Sequence, residues 1–338
     1  MQRIKAACVQ AAPVFLDLDA SIEKAAKFCE EAAANGAKFI AFPETWLPGY
    51  PWWIWTDNAF EAMRWLPQYD QNSMELNSPQ MRRLQQIAQK NSIAMVMGYS
   101  EKDKGSRYMS QVMIDVEGTI QFNRRKLKPT HAERVVFGEG DGSGFRAVDL
   151  GFGRVGALNC YEHVQPLAKM AMYAENEYIH VAGWPSFCIY RDLAYGLGPE
   201  ANLAASMTYA LEGSCYVLAA TAIIDQRMFD MVADDNENKA HLLNPPTSKP
   251  GGGYSMIFAP DGRPLCDPIP DDQEGILYAD IEPNAITLAK SVLDPVGHYS
   301  RGDAVKLVIN RNKREVVQEL GEKDGFEPIA FEEFVVAK

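Results

Sequence analysis

The chain has 338 residues, 47% apolar and 23% charged, which is the make-up of a globular protein and not of a disordered, collagen-like or disulfide-scaffold one. Its 33 basic and 45 acidic side chains leave a net charge of −12, which argues against nucleic acid or an anionic membrane surface as partner. The longest apolar stretch, around 216–224, falls far short of the roughly 20 residues that cross a bilayer, so no membrane span is expected.

The opening residues lack the apolar core of a targeting peptide, and 3–11 reads as a buried strand. Residues 19–34 read as a helix, with Ile22, Ala25, Ala26, Cys29, Ala32 and Ala33 at helical spacing and Gly36 beyond its end. A second short strand, 38–42, ends at Pro43-Glu44-Thr45. Residues 46–72 are rich in Pro, Gly and Trp and show no period. Ser78-Pro79 marks a helix start, with Met81, Leu84, Ile87 and Ala88 on one face.

Strands follow at 93–99 and 108–116, and Glu117-Gly118 turns the second into 120–125. Residues 148–150 and 155–159 form another hairpin around Gly151-Phe152-Gly153. Helix 165–174, strand 178–182, helix 199–211 and strand 215–224 come next. Residues 225–252 are polar and Pro/Gly-rich, which predicts a long loop, with Gly251-Gly252-Gly253 flexible. A hairpin over 253–266, a strand at 276–281 and a short helix at 282–291 end the pattern. The chain therefore predicts one layered α/β or α+β domain, 1–290, and a C-terminal tail, 291–338.

Six cysteines (Cys8, Cys29, Cys160, Cys188, Cys215, Cys266) show no framework spacing, as expected of reduced thiols in the cytoplasm. Three polar residues stand at strand ends, where side chains escape a sheet into a cleft: Glu44, Lys126 and Cys160. Each alone is ordinary, since a lone cysteine is usually a small core residue and the basic run 124–128 is usually solvated. Together they form a hydrolytic set. A thiolate is the nucleophile, a carboxylate takes its proton and later activates water, and an ammonium meets the developing negative charge.

The competing constellations are poorer. His163 follows Cys160 closely, but no second Cys/His pair completes a zinc site, so no metal is expected. No Gly-x-Gly-x-x-Gly follows a strand, and Gly-rich 138–144 lacks the Lys-Ser/Thr of a phosphate loop, so no cofactor is expected.

The sequence resembles the nitrilase superfamily, in its true nitrilase branch. FPETWLPGYPWW carries Glu44, RRKLKPTHAERVVFGEGDG carries Lys126, and GRVGALNCYEHVQPL carries Cys160. IHVAGWPSF, GGGYSMIFAPDGR and DPVGHYSR match as well, so the resemblance covers nearly the whole chain. It implies that Glu44, Lys126 and Cys160 are catalytic and that Glu133 is the family's additional glutamate, positioning substrate or lysine. It also implies an αββα sandwich that dimerises to αββα–αββα or extends into a spiral. The tail's apolar clusters, 305–309 and 331–336, fit such a homo-oligomer. Tyr161 departs from the Cys-Trp-Glu-His of many members by adding a hydroxyl.

The implied reaction is hydrolysis of a small-molecule nitrile to acid and ammonia through a thioimidate and a thioester on Cys160. Five of the six tryptophans lie between Trp46 and Trp65. An aromatic wall for an apolar substrate is expected, with Tyr50, Trp53, Tyr161 and Trp184 as candidates. The motifs look most like arylacetonitrilases. Aliphatic nitrilases, cyanide-degrading relatives, and amidases or carbamoylases using the same three residues remain open, as does a non-enzymatic binding protein on the same fold.

Overall fold

The computed structural model describes residues 2–187, 194–243 and 249–315. Cys188, the cluster 331–336 and the tail beyond 315 lie outside the described residues. In chain order the elements are β1 (Ile4–Gln10), α1 (Leu18–Ala34), β2 (Ala37–Ala41), α2 (Trp53–Thr56), α3 (Ala59–Ala62), α4 (Leu66–Gln71) and α5 (Pro79–Asn91). Next come β3 (Ala94–Asp103), β4 (Ser106–Ile114), β5 (Ile120–Arg125), β6 (Val148–Asp149), β7 (Arg154–Asn159), α6 (Pro166–Tyr173) and β8 (Ile179–Trp184). They end with α7 (Pro199–Gly213), β9 (Tyr216–Thr221), α8 (Gln226–Ala233), α9 (Glu237–Leu243), β10 (Met256–Phe258), β11 (Gly275–Ile281) and α10 (Pro283–Val292).

Two sheets result. One has the order β11-β1-β2-β3-β4-β5, the other β10-β9-β8-β7-β6. Alternation along the strands sorts side chains between two faces. From β1, Ala6 and Cys8 meet Val155, Ala157, Val181 and Leu218 in the core between the sheets. Ala7 and Val9 instead face Ile22, Ala25 and Cys29 of α1 and the Met81, Leu84 and Ile87 stripe of α5. The far face of the second sheet, with Leu158, Ala182 and Val217, packs on Ala168, Met172, Tyr209 and Ala210 of α6 and α7. The layers are therefore α, β, β, α.

The helix caps are local. Asp17 accepts from the Ala20 N–H ahead of α1, and Ser78 accepts from the Met81 N–H ahead of α5, as its Ser-Pro start predicts.

Two expectations are corrected. Residues 225–252 are no continuous loop. Asp225 caps α8 by accepting from the Met228 N–H, and Met228, Phe229 and Val232 on one face bury against aromatic side chains. The polar composition of the stretch conceals this amphipathic face. Gly251–Gly253 is not flexible, because Gly251 exchanges two backbone hydrogen bonds with Ile224 and all three glycines are buried. Residues 46–72 hold α2, α3, α4 and a 3-10 turn at Met63–Trp65, each too short for periodicity to register.

Candidate active site

The carboxyl ends of β2 and β5 from one sheet meet those of β7 and β8 from the other. Glu44 follows β2 in a tight turn where Thr45 has φ +48° and the Glu44 N–H donates to Trp184 O at 3.3 Å. The turn lies against β3 so closely that a Cβ on Gly98 would sit 2.1 Å from Pro43 O, so only glycine fits there.

Lys126 follows β5, its own N–H donating to Met109 O at 2.7 Å. Its carbonyl accepts from Gly140 N–H at 2.8 Å, where a Cβ on Gly140 would meet Arg125 O at 2.4 Å. Its side chain is 1% exposed. Lys126 Nζ donates to Glu44 Oε1 at 2.9 Å and to Glu133 Oε2 at 2.8 Å. Glu133 sits in the 3-10 turn His131–Val135, where its Oε2 also accepts from the Thr130 N–H at 2.5 Å. Its Oε1 accepts from Tyr50 Oη at 2.8 Å, and Trp55 Nε1 donates to Tyr50 Oη at 3.1 Å.

Cys160 opens the 3-10 turn Cys160–Val164 after β7, with φ +46°. That left-handed backbone is strained for a residue with a Cβ. Glu162 holds the turn. Its Oε2 accepts from the Asn159 N–H and its Oε1 from the Leu127 N–H, both at 2.8 Å, and Arg124 Nη2 donates to Oε1 at 2.6 Å. Burial pushes Glu162 up, yet Arg124 and these bonds hold it below the usual carboxylate range. His163 donates from Nδ1 to the Cys160 carbonyl oxygen at 2.7 Å and meets His180 through Nε2, so both ring nitrogens are occupied.

One oxygen of Glu44, one of Glu133 and the Cys160 Sγ lie within 4.8 Å of one another. Burial raises the Glu44 carboxyl, Lys126 opposes the rise and Glu133 adds to it, leaving it at about 8. Burial likewise pushes the Cys160 thiol well above its ordinary value, against the pull of Lys126. Burial alone would lower Lys126, but Glu133, Glu44 and Cys160 carry it well above its ordinary value. The resting group is therefore an ammonium, a neutral thiol and a carboxyl of raised proton affinity. Among the described residues none hydrogen-bonds the buried Glu44 Oε2, which leaves an acceptor for a thiol or water proton. A metal at the carboxylate–thiol group would compete with the Lys126 ammonium already bonded to both glutamates, so these residues do not fit one.

Above the group lies a small cavity. Of the expected wall, Tyr50, Tyr161 and Trp184 line it together with Cys160 and Glu133. Trp53 does not. It is fully buried, stacked on Trp65 at 5.3 Å and edge-on to Tyr69 at 5.1 Å, in the core beneath α2. Its neighbours Trp52 and Trp55 line the cavity instead, with Phe187 and Asn202. The sequence does not mark Trp52 and Trp55, because a four-residue helix gives no signal for which tryptophan faces inward. The Tyr161 hydroxyl donates to Gly196 O at 2.5 Å, joining the Cys160 turn to the segment ahead of α7.

A carbon-nitrogen hydrolase family model matches residues 5–291. The chain is 50% identical over 317 residues to an aliphatic nitrilase from Rhodococcus rhodochrous, covering 94% of this chain and 82% of that protein. It is 43% identical over 312 residues to a nitrilase from Alcaligenes faecalis described as arylacetone-specific, covering 92% and 86%. In fold it is similar to the crystal structure of a carbon-nitrogen hydrolase from Helicobacter pylori G27, with a TM-score of 0.66, 19% identity, and 89% and 97% of the two chains covered. No helix among the described residues is long and apolar enough to cross a membrane. The αββα layers, the buried Glu44–Lys126–Glu133–Cys160 group and these likenesses together place the chain in the carbon-nitrogen hydrolase family, the nitrilase superfamily.

Proposed function

We propose that this chain is a nitrilase with Cys160 as its nucleophile. It hydrolyses a small organic nitrile to the carboxylic acid and ammonia. One observation carries the reading: Glu44, Lys126, Glu133 and Cys160 are buried together at the base of an aromatic cavity.

Glu44 Oε2 takes the thiol proton as the sulfur bonds to the nitrile carbon. A carboxyl raised to about 8 holds a thiol proton better than an ordinary carboxylate does. Two of the three N–H bonds of Lys126 are held by carboxylates, and the third serves the nitrile nitrogen as negative charge develops. The nitrogen takes up the proton and a thioimidate forms. A water, losing its proton to Glu44, adds to the carbon. That proton passes to nitrogen, giving a tetrahedral carbon that bears OH and NH2; the hydroxyl proton then passes through Glu44 to nitrogen as the C–N bond breaks, and ammonia leaves a thioester. A second water releases the acid and restores the thiol. Glu133 positions Lys126 and ties it through Tyr50 to the wall.

The aromatic lining of Tyr50, Trp52, Trp55, Tyr161 and Trp184 favours nitriles one carbon from a ring. The 50% identical aliphatic nitrilase favours the second reading, a short aliphatic nitrile. The test is ammonia release from phenylacetonitrile, phenylacetamide and a short aliphatic nitrile, with Cys160→Ala as control. Release from phenylacetonitrile that the control abolishes is expected. Release from the amide alone would make the chain an amidase, and full activity of Cys160→Ala would end the nucleophile assignment.

The same reading includes a catalytic domain over 1–290, a tail over 291–338, a reduced cytoplasmic setting and a homo-oligomer built from αββα–αββα dimers. Cys8, Cys29, Cys160, Cys215 and Cys266 are free thiols, which supports the reduced setting. Val305 and Val308 of the tail are 82% and 84% exposed, apolar surface suited to a second copy. Sedimentation showing only monomers would remove the oligomer.

A further inference from the structure

A second row of buried polar side chains ends on Cys160, and the reaction above does not use it. Tyr209 Oη donates to Glu177 Oε2 at 2.6 Å, and Glu177 Oε1 lies 2.9 Å from His180 Nδ1. His180 Nε2 lies 2.9 Å from His163 Nε2, and His163 Nδ1 lies 2.7 Å from the Cys160 carbonyl oxygen. All four side chains are at most 2% exposed. Tyr209 also stacks on His180 at 3.8 Å between ring centroids, which leaves the rings little freedom.

The proton positions follow from the last acceptor. A carbonyl oxygen only accepts, so His163 Nδ1 carries hydrogen. A neutral His163 then offers a lone pair at Nε2, which requires hydrogen on His180 Nε2. A neutral His180 offers its lone pair at Nδ1, which requires the proton between it and Glu177 to sit on Glu177 Oε1. The row is then a one-way chain of neutral donors from Tyr209 to Cys160. The other arrangement places an imidazolium against a carboxylate in a dry interior. Burial opposes it, pushing both histidines well below their ordinary value and Glu177 well above its own. The charged groups nearby are themselves paired, Arg124 with Glu162 and Arg154 with Glu175.

Cys160 needs such support, because its φ of +46° is held by side chains and not by regular structure. Glu162 grips the turn through the Asn159 and Leu127 N–H groups, and His163 grips the Cys160 carbonyl. The His163 ring also lies 5.1 Å from that of Trp184, which lines the cavity.

We propose that His163 is a positioning residue for the Cys160 nucleophile, and that Glu177 acts as a neutral carboxylic acid which, through His180, fixes His163 in the tautomer that donates to the Cys160 carbonyl. The proposal rests on the reading of Cys160 as nucleophile. A glutamine amide reproduces a neutral acid at position 177, its N–H donating to His180 and its oxygen accepting from Tyr209, whereas leucine does neither.

The experiment compares wild type, Glu177→Gln and Glu177→Leu in the full-length protein. It reads kcat and KM for a hydrolysed nitrile, the rate of Cys160 alkylation by iodoacetamide, and the infrared difference spectrum of wild type minus Glu177→Gln at neutral pH. Glu177→Gln is expected within about twofold of wild type in kcat and alkylation, and Glu177→Leu about tenfold or more slower in both with KM little changed. The difference spectrum is expected to show a protonated carboxyl C=O stretch lost on substitution. A carboxylate band in its place, or a folded Glu177→Gln with kcat reduced tenfold, overturns the neutral chain. A folded Glu177→Leu that alkylates at the wild-type rate overturns the positioning role. The infrared and alkylation readings do not depend on nitrile turnover, so they stand apart from a failure of the nitrilase assignment.

Discussion

The floor of the cavity rests on strand ends, and one side of its wall on a helix too short to stand alone. Glu44, Lys126 and Cys160 each lie within three residues of the end of a strand, β2, β5 or β7, whose other residues are locked in two sheets. Tyr50, Trp52 and Trp55 flank or ride on α2, which has four residues. An isolated helix of that length has no stability of its own. It is held by the Trp53–Trp65 stack and by the buried Asp57 carboxylate, which accepts from Lys239 Nζ of α9 at 2.6 Å and from Trp65 Nε1 at 3.1 Å. The reactive groups are thus fixed to within hydrogen-bond tolerance. Tyr50, Trp52 and Trp55, three of the side chains that line the cavity, sit on an insert whose shape depends on aromatic packing, whereas Trp184 ends β8.

The contrast breaks most sharply at Glu44. Glu44→Gln is expected to lower kcat on the order of 10³-fold by removing the base. It should not weaken the fold. The folded carboxyl titrates at about 8 and an ordinary one at 4.5, so whatever stability Glu44 lends is present below about 4.5 and lost as pH rises through 8. The variant should therefore melt at or above the wild-type temperature at pH 9. Calorimetry showing it less stable there would mean that the floor depends on this charge for its fold.

Glu133 joins floor to wall, since it holds both Lys126 and Tyr50. Its charge is one cause of the raised Glu44 carboxyl. In Glu133→Gln the acid limb of the kcat/KM profile should move to lower pH, with kcat reduced less than in Glu44→Gln. A limb that stays where the wild type has it would detach Glu133 from the base.

The smallest effects should separate two tryptophans two residues apart. Trp53→Phe loses stacking in a closed core and should cost about 1–2 kcal/mol in denaturant unfolding, with KM nearly unchanged. Trp55→Phe should leave stability within about 0.5 kcal/mol. It should raise KM for an aromatic nitrile by about fivefold, because it removes lining surface and the donor to Tyr50. The reverse pattern would exchange the roles of core and wall.

What the sequence determined by itself was local. Apolar runs marked the strands, Ser78 marked a helix start, and the polar residues leaving strands marked Glu44, Lys126 and Cys160. The order of three long motifs supplied the family. These signals survive because each depends on neighbours within a turn or a strand. The tertiary structure alone decided which tryptophan faces the cavity, since that is set by Phe15, Trp65 and Tyr69 closing on Trp53 from outside its own helix. It alone folded α8 and α9 out of a polar stretch, by offering Met228 and Phe229 an aromatic surface to bury. And it alone brought Glu177 and His180 to His163, because hydrogen bonds between β8, its approach and the nucleophile turn form only once parallel strands β7 and β8 pair.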